Sequence, residues 1–471
     1  MARVRQRRRL IRSAGTTFFC LALSLLVIPV GSALAATAKP SDFNGDGHVD
    51  VGIGTLATVQ QQPFSGLVAV VYGTGTTLNT ARRQRIDESL PWVPGTPEQD
   101  EAFGAALASA DFNSDGYADL AVCAPTQKET AFLFVGSLTI LFGTPSGLTR
   151  ASRVIANCDE VATGDINRDG RPDLAVVGGD QSYVVYGSAG LSNPGGIVLR
   201  RFGPTGPDVF ARRALVVGDI TGDGYADVSF AASVRNGARI LLYRGGPSGL
   251  NTNLFQQLST PLTESASAGD INGDGFADLA TGNPTATVTG HKAAGQVRVW
   301  YGSTNGLRGL TILSQDSAGI PGGPENGDQF GLSVALGDAS GDGRADLAIG
   351  APYEDIDANE DAGNVTVVMG GSAGLDFTRV SDIRQSTIGG GDTNEPHDLF
   401  GSALVFRDLN GDGRAELMVS SVGENSSQGS VAILTGTPQG VGGITTFPLL
   451  RPQSVGIPTT SPVYFGIALT R

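Results

Sequence analysis

One nine-residue pattern, acid-x-polar-x-Asp-Gly-x-x-acid, recurs seven times and carries most of the chemistry this chain could do. Its first copy holds Asp42, Asn44, Asp46, His48 and Asp50; the second holds Asp111, Asn113, Asp115, Tyr117 and Asp119. The third holds Asp165, Asn167, Asp169, Arg171 and Asp173, and the fourth Asp219, Thr221, Asp223, Tyr225 and Asp227. The fifth holds Asp270, Asn272, Asp274, Phe276 and Asp278, and the sixth Asp338, Ser340, Asp342, Arg344 and Asp346. Asp408, Asn410, Asp412, Arg414 and Glu416 complete the set. Positions 1, 3, 5 and 9 offer side-chain oxygens, and position 7 offers its backbone carbonyl. A donor set made only of oxygen suits a hard cation; Ca²⁺ takes six to eight oxygens at about 2.3–2.6 Å, whereas zinc and copper favour nitrogen and sulfur. Up to seven bound Ca²⁺ are therefore expected.

The glycine at position 6 permits the sharp turn that wraps a loop around an ion. Position 12, where a helix-loop-helix calcium site needs a bidentate Glu, holds Ile53, Val122, Val176, Phe230, Thr281, Ile349 and Val419. None is such a ligand, so each loop is read as the bend of a β-hairpin. Plain Asp-Gly turns would also make hairpins without metal. Three carboxylates in each of seven loops, however, account for 21 of the chain's 46 acidic residues. Thr221, Ser340 and Glu416 are the weakest members.

The elements that must position these loops repeat with them. The intervals between first aspartates are 69, 54, 54, 51, 68 and 70 residues. Each loop is followed by a short apolar stretch such as Asp346-Leu347-Ala348-Ile349, then by a second strand such as Gly295 to Tyr301, where Val297, Val299 and Tyr301 alternate around Arg298. A Gly-x-x-x-Gly-Leu turn and a variable strand close most units. About four short antiparallel strands per unit cannot bury both faces of one sheet; radial stacking around a channel does so. The expected fold is all-β, a seven-bladed β-propeller with calcium-binding hairpin loops. A linear solenoid is the alternative, but the chain ends favour a ring. Asp42 leaves no room for a preceding strand, while Tyr464 to Leu469 looks like the strand that precedes a loop elsewhere. The C-terminal strand should close the circle.

Residues 1–35 read as a signal peptide and 36–471 as the propeller. Six arginines, Arg3 to Arg12, precede the apolar run Phe18 to Val30 and the small-x-small site Ala33-Leu34-Ala35. Cleavage near Ala35 and bacterial export by the Sec or the twin-arginine route are expected, with secretion as the outcome. No later run is apolar enough for a membrane span. Removing those arginines takes the basic count from 32 to 26 against 46 acids, a balance of −20. Such a chain excludes nucleic acid as a partner.

The sixth unit combines Phe330-Gly331, the Asp338 loop and Gly350-Ala351-Pro352; the second combines Phe103-Gly104, its loop and Cys123-Ala124-Pro125. The seventh keeps Phe400-Gly401 but has Ser420-Ser421-Val422, and units three to five lack Phe-Gly. On these residues the chain resembles FG-GAP repeat proteins and the N-terminal β-propeller of integrin α chains. The resemblance implies seven blades, calcium on one face and ligand contacts on the other. It does not carry over integrin function, since no inserted adhesion domain, leg domain or membrane span is visible.

Three loops at the end opposite the calcium are long and acidic: 91–101, 320–329 and 387–399, with 352–362 beside them. Trp92 and Tyr353 are the aromatic candidates for a ligand patch, with Asp355 and Asp357 as acidic neighbours; solvated loops with locally packed rings are the blander reading. Cys123 and Cys158 stand at the same end, either as a disulfide between blades two and three or as buried thiols. Only three histidines exist, His48, His291 and His397, and no nucleophile elbow, zinc-protease helix or phosphate loop is present. The function expected is noncatalytic extracellular binding or adhesion to a protein or polysaccharide, by a monomer. Paired carboxylates in the propeller mouth acting on glycans, as a hydrolase or lyase, are the alternative.

Overall fold

Strands of four to ten residues, apolar on both sides where neighbours cover both faces, dominate the chain. The structure is a computed structural model describing residues 38–471 apart from 127, 131–132, 135, 194–195, 205–208, 236 and 460–461. The proposed signal segment lies outside the described residues. Seven antiparallel sheets follow one another as blades of a β-propeller.

Blade one is built from Ala468–Leu469, Val51–Thr55, Leu67–Gly73 and Leu78–Ile86. Blade two comprises Ala106–Ala110, Asp119–Ala124, Ser137–Phe142 and Arg150–Ile155, and blade three Glu160–Gly164, Asp173–Gly178, Gln181–Val185 and Arg200–Arg201. Blade four comprises Val209–Gly218, Asp227–Val234, Gly237–Tyr243 and Gln256–Thr260. Blade five runs through Ser265–Gly269, Asp278–Asn283, Gln296–Tyr301 and Arg308–Leu313, and blade six through Ser333–Gly337, Asp346–Ala351, Asn364–Gly371 and Gly374–Ile383. Blade seven has three named strands, Phe400–Arg407, Glu416–Ser421 and Ser430–Leu434; its outer edge is a single bridge between Val431 and Leu450.

The ring closes as the sequence predicts. Leu469 pairs with Ile53 and Ala468 with Gly54, so the last strand is the innermost strand of blade one. In each blade the first strand lines the channel and leads into an Asp-Gly loop, which turns the chain into the second strand. Among the described residues the second strands of blades one, two, three, five, six and seven are buried throughout. That burial explains their unbroken apolar runs.

The Phe-Gly and Gly-Ala-Pro signatures have a mechanical origin. Phe103, Phe330, Phe400 and Phe465 are fully buried, and each donates its backbone N–H to the preceding blade. The acceptors are the carbonyls of Ser65, Ala294, Ala362 and Gln428, at 2.8 to 3.0 Å. The glycines that follow Phe103, Phe330 and Phe400 come against a glycine in the second strand of the blade before, whereas Gly466, after Phe465, comes against Ser420. A Cβ on Gly350 would sit 2.1 Å from the Gly401 carbonyl, and one on Gly54 would sit 2.1 Å from that of Gly104. Between these clasps, one hydrophobic cluster fills each of the seven blade boundaries.

Candidate metal centres

Each Asp-Gly loop is shaped by its own side-chain oxygens accepting backbone N–H groups. In the first, the Asp46 N–H donates to Asp42 Oδ1 at 3.1 Å and to Asn44 Oδ1 at 2.9 Å. The Gly47 N–H reaches Asp42 Oδ2 at 2.9 Å, and the His48 N–H reaches Asp46 Oδ1 at 3.1 Å. Loops two, three and five repeat all four bonds. The donors at positions 1, 3 and 5 thus crowd around one amide. Gly47, Gly116, Gly170, Gly224, Gly275, Gly343 and Gly413 all have φ between +82° and +89°. A Cβ on Gly47 would meet nothing within 4 Å, so the backbone conformation and not crowding demands glycine there.

Position 9 does something the sequence does not announce. Asp119 is completely buried, and its Oδ2 accepts the Phe112 N–H at 3.1 Å while Oδ1 accepts the Gly143 N–H at 3.0 Å. The carboxylate therefore ties its loop to the end of the third strand. Asp50, Asp173, Asp278 and Asp346 make the same pair of bonds, with Gly73, Gly187, Gly302 and Gly370 as far donors. Asp227 keeps the far bond, to Gly245, but takes its near one from the Thr221 N–H, one residue further on. The longer Glu416 keeps the near bond, to the Leu409 N–H at 2.8 Å, and spends its other oxygen on Asn410 Nδ2 at 2.9 Å. The recurring glycine at the end of the third strand was the available signal.

Burial sets the charge at these positions. It pushes Asp50 up to about 8, Asp173, Asp227, Asp278 and Asp346 to about 6, and Glu416 to about 7. Asp119 rises well above the carboxylate range for the same reason. In each case backbone N–H bonds work in the other direction and lose. A cation at the loop would favour the ionised form of every one.

The residues fit a calcium ion by donor chemistry: oxygen only, three carboxylates per loop, and at least one of them buried. Among the described residues, no three His, Cys, Asp or Glu side chains are gathered tightly enough to form a ready-made cage. Arginines take up part of the charge at position 5. Asp46 pairs with Arg82 at 3.1 Å, Asp115 with Arg150 at 3.9 Å, and Asp169 with Arg171 at 3.9 Å. Asp342 pairs with Arg344 at 3.3 Å and Asp412 with Arg414 at 3.6 Å.

Loop four differs. Arg244 Nη2 lies 2.8 Å from Asp223 Oδ2 and 3.5 Å from Thr221 Oγ1, so one guanidinium touches positions 3 and 5 together. Strand register puts Arg244 where the other blades have Tyr72, Phe142, Tyr186, Tyr301, Met369 and Thr435. Blade four therefore carries its own cation across positions 3 and 5 of a loop whose third position, Thr221, is one of the three weaker donors.

At the opposite end, Trp92 is half-buried and packs on the cluster between blades one and two. Tyr353 is half-buried in blade six, while Asp355 and Asp357 are exposed. Asp355 Oδ1 accepts the Asp361 N–H at 2.9 Å, which shapes that hairpin. Trp92 sits on a different blade boundary from the other three. Cys123 and Cys158 are bonded to each other, with their Cα atoms 5.3 Å apart.

An FG-GAP repeat family model matches residues 263–300, 330–368 and 400–434, and an FG-GAP-like repeat model matches 111–176, 165–230 and 219–281. Among curated proteins, phosphatidylinositol-glycan-specific phospholipase D of Bos taurus is 24% identical over 406 residues, covering 81% of this chain and 42% of its own length. Integrin alpha pat-2 of Caenorhabditis elegans is 25% identical over 306 residues, covering 62% of this chain and 21% of its own length. The chain thus spans well under half the length of these relatives. Among solved structures, the periplasmic gluconolactonase of Pseudomonas aeruginosa aligns with a TM-score of 0.49 at 16% identity, over 88% of this chain and 98% of that one. That likeness is too loose to bear on function. Repeats matched from the second loop to the seventh blade, on a ring of seven blades, make this chain an FG-GAP repeat protein with an integrin-α-like propeller.

Proposed function

We propose that this chain is a secreted propeller that is held together by calcium and binds an extracellular protein or polysaccharide without transforming it. The observation that carries the reading is the set of buried position-9 carboxylates, each the hinge between a loop and its blade, on oxygen-rich loops that call for a divalent cation. Loops one, two, three, five, six and seven are the calcium set; loop four is neutralised by Arg244. Calcium's contribution is to neutralise and rigidify one face. That leaves the Phe-Gly end, where the connecting loops are longest, to meet a ligand.

The relatives are mixed in kind, one group named as integrin chains and the other for a phospholipase activity. A catalytic reading would place acids in the propeller mouth. There, Asp159, Glu160 and Glu264 line a cavity of about 350 Å³. Both Glu160 oxygens accept backbone N–H groups, of Ala214 and Leu215, at 2.9 Å. Asp159 accepts the Gly179 N–H at 3.0 Å, and Glu264 pairs with Arg213 at 2.6 Å. All three carboxylates have structural partners, which supports binding over acid–base work. A glycan and extracellular-protein array probed with and without calcium, run beside a polysaccharide hydrolysis screen, tests the proposal. Calcium-dependent capture without turnover is expected; turnover of any polysaccharide would replace this reading with the enzymatic one.

A further inference from the structure

Three blade boundaries at the Phe-Gly end are built to one plan. Two residues past the outer strand of the leading blade stands Glu88, Gln315 or Gln385. Two residues before the phenylalanine of the next blade stands Glu101, Asp328 or Asp398. Each of these acids accepts the backbone N–H of the residue three before it, Glu98, Glu325 or Glu395, at 3.0, 2.5 and 2.8 Å. In the second and third pockets a further acid, Glu354 or Glu424, follows the second strand of the blade. It accepts the glutamine Nε2, at 2.5 Å from Gln315 and 2.8 Å from Gln385. Its counterpart in the first pocket, position 127, lies outside the described residues.

The three differ in what balances the charge. In the first, Arg153 pairs with Glu88 at 2.7 Å. In the third, Arg451 reaches Asp392 at 3.1 Å and Glu424 at 4.0 Å. Among the described residues, no Lys, Arg or His forms a close ion pair with Asp328 or Glu354; only the charge of His291 reaches Asp328, from farther off. Asp328 is 2% exposed, Glu354 8% and Gln315 4%. The Gln315 side-chain carbonyl, Oε1, is buried without any hydrogen-bond partner, beside the amide nitrogen that holds Glu354. Gln385 Oε1 in the third pocket is likewise unpartnered, so the lack of a guanidinium is what sets the second pocket apart. Gly322 closes the pocket; a Cβ there would come within 3.4 Å of both Gln315 Nε2 and Glu354 Oε1.

We infer that this boundary between blades five and six is a cation site of a second kind, where Asp328, Glu354 and the Gln315 carbonyl hold one hard divalent cation on the face opposite the Asp-Gly loops. A buried, unpartnered carbonyl and two buried carboxylates are an oxygen-only set of the type that calcium takes. A pair of buried carboxylates without a close ion-pair partner is costly unless a proton or a metal joins it. The neighbouring pockets show the alternative solution, a guanidinium, in the same architecture. Burial pushes Glu354 up to about 7 and Asp328 to about 6; the charge of Asp328 adds to the rise at Glu354, and the charges of Glu325 and Asp355 add to that at Asp328.

Native mass spectrometry of the whole chain in calcium acetate counts the ions. The Asp328→Asn/Glu354→Gln double variant keeps the shape and removes both charges, and is expected to carry one ion fewer than the parent. Asp342→Asn in loop six is expected to lose one independently, and the combined variant two. Gln315→Met, which removes only the carbonyl, keeps the falsification open should the double variant fold poorly; it is expected to lose the same single ion at low calcium. A loop variant that drops an ion while both the double variant and Gln315→Met keep the parental count overturns this site alone. No bound ion on any form overturns this site and the loop reading together.

Discussion

Thr470 and Gly52, 418 residues apart, share three hydrogen bonds. The Thr470 hydroxyl accepts from the Gly52 N–H and donates to the Gly52 carbonyl, both at 2.8 Å, while its own N–H reaches that carbonyl at 3.0 Å. A Cβ on Gly52 would lie 2.4 Å from the hydroxyl oxygen. This clasp is where the ring is tied. Thr470→Val should lower stability by about 1–2 kcal/mol in urea melts, because Gly52 is left with an unpaired buried amide. Gly52→Ala should cost more, since the closing strand must shift. Unchanged midpoints for both would show that the ring does not depend on this contact.

The disulfide takes the place of a glycine contact. Register aligns Cys123 with Gly350, and Cys158 occupies the position of Gly104 and Gly401 relative to its own first strand. Where other blade boundaries press two glycines together, blades two and three are bonded covalently. Closing a 35-residue loop constrains the unfolded chain by about 4 kcal/mol on the loop-entropy model. A Cys123→Ala/Cys158→Ala variant should therefore melt several degrees lower. Equal melting of variant and parent would contradict a stabilising role.

Much of this was legible in the residues. The seven loops gave blade number, the misplaced strand Tyr464 to Leu469 gave ring closure, and the aligned cysteines left a disulfide as one of two readings, which the structure decides. Other features depend on contacts that pattern alone does not carry. Asp119 and its equivalents look like ligands, yet their bonds to Gly143 and its equivalents appear only once the third strand is in place. The acidic loops at the Phe-Gly end suggested solvated surface, but Glu101, Asp328 and Asp398 turn inward because the blade boundary offers each a backbone N–H. The outer strand of blade seven shrinks to one bridge, which no periodicity foretold.

On the proposed calcium reading, Arg244 takes the place of a metal ion at loop four. Asp223→Asn should leave the amount of bound calcium unchanged in equilibrium dialysis, whereas Asp274→Asn in loop five should lower it by one ion per chain. Loss of an ion from Asp223→Asn would mean that the guanidinium leaves when calcium arrives.

The Glu88–Glu101 pair imposes a pH dependence of known sign. Burial, and then the charge of Glu88, push Glu101 up to about 9, from the ordinary 4.5 of an unfolded chain. Between those values the folded state holds a proton that the unfolded state has lost, so stability must fall as pH rises through the window. Glu101→Gln should flatten that fall in denaturant melts between pH 5 and 9 (a range spanning both values). A variant that loses as much stability as the parent over this range would contradict the assignment.

Calcium as the element that holds the blades' hairpins is tested most directly by thermal melting of the whole protein in excess calcium and in excess chelator. Each site that binds only the folded chain adds about 2.7 kcal/mol at a hundredfold excess over its dissociation constant. Six such loops predict a melting temperature many degrees lower in chelator, restored when calcium is returned. Identical melting curves in the two conditions would contradict the account.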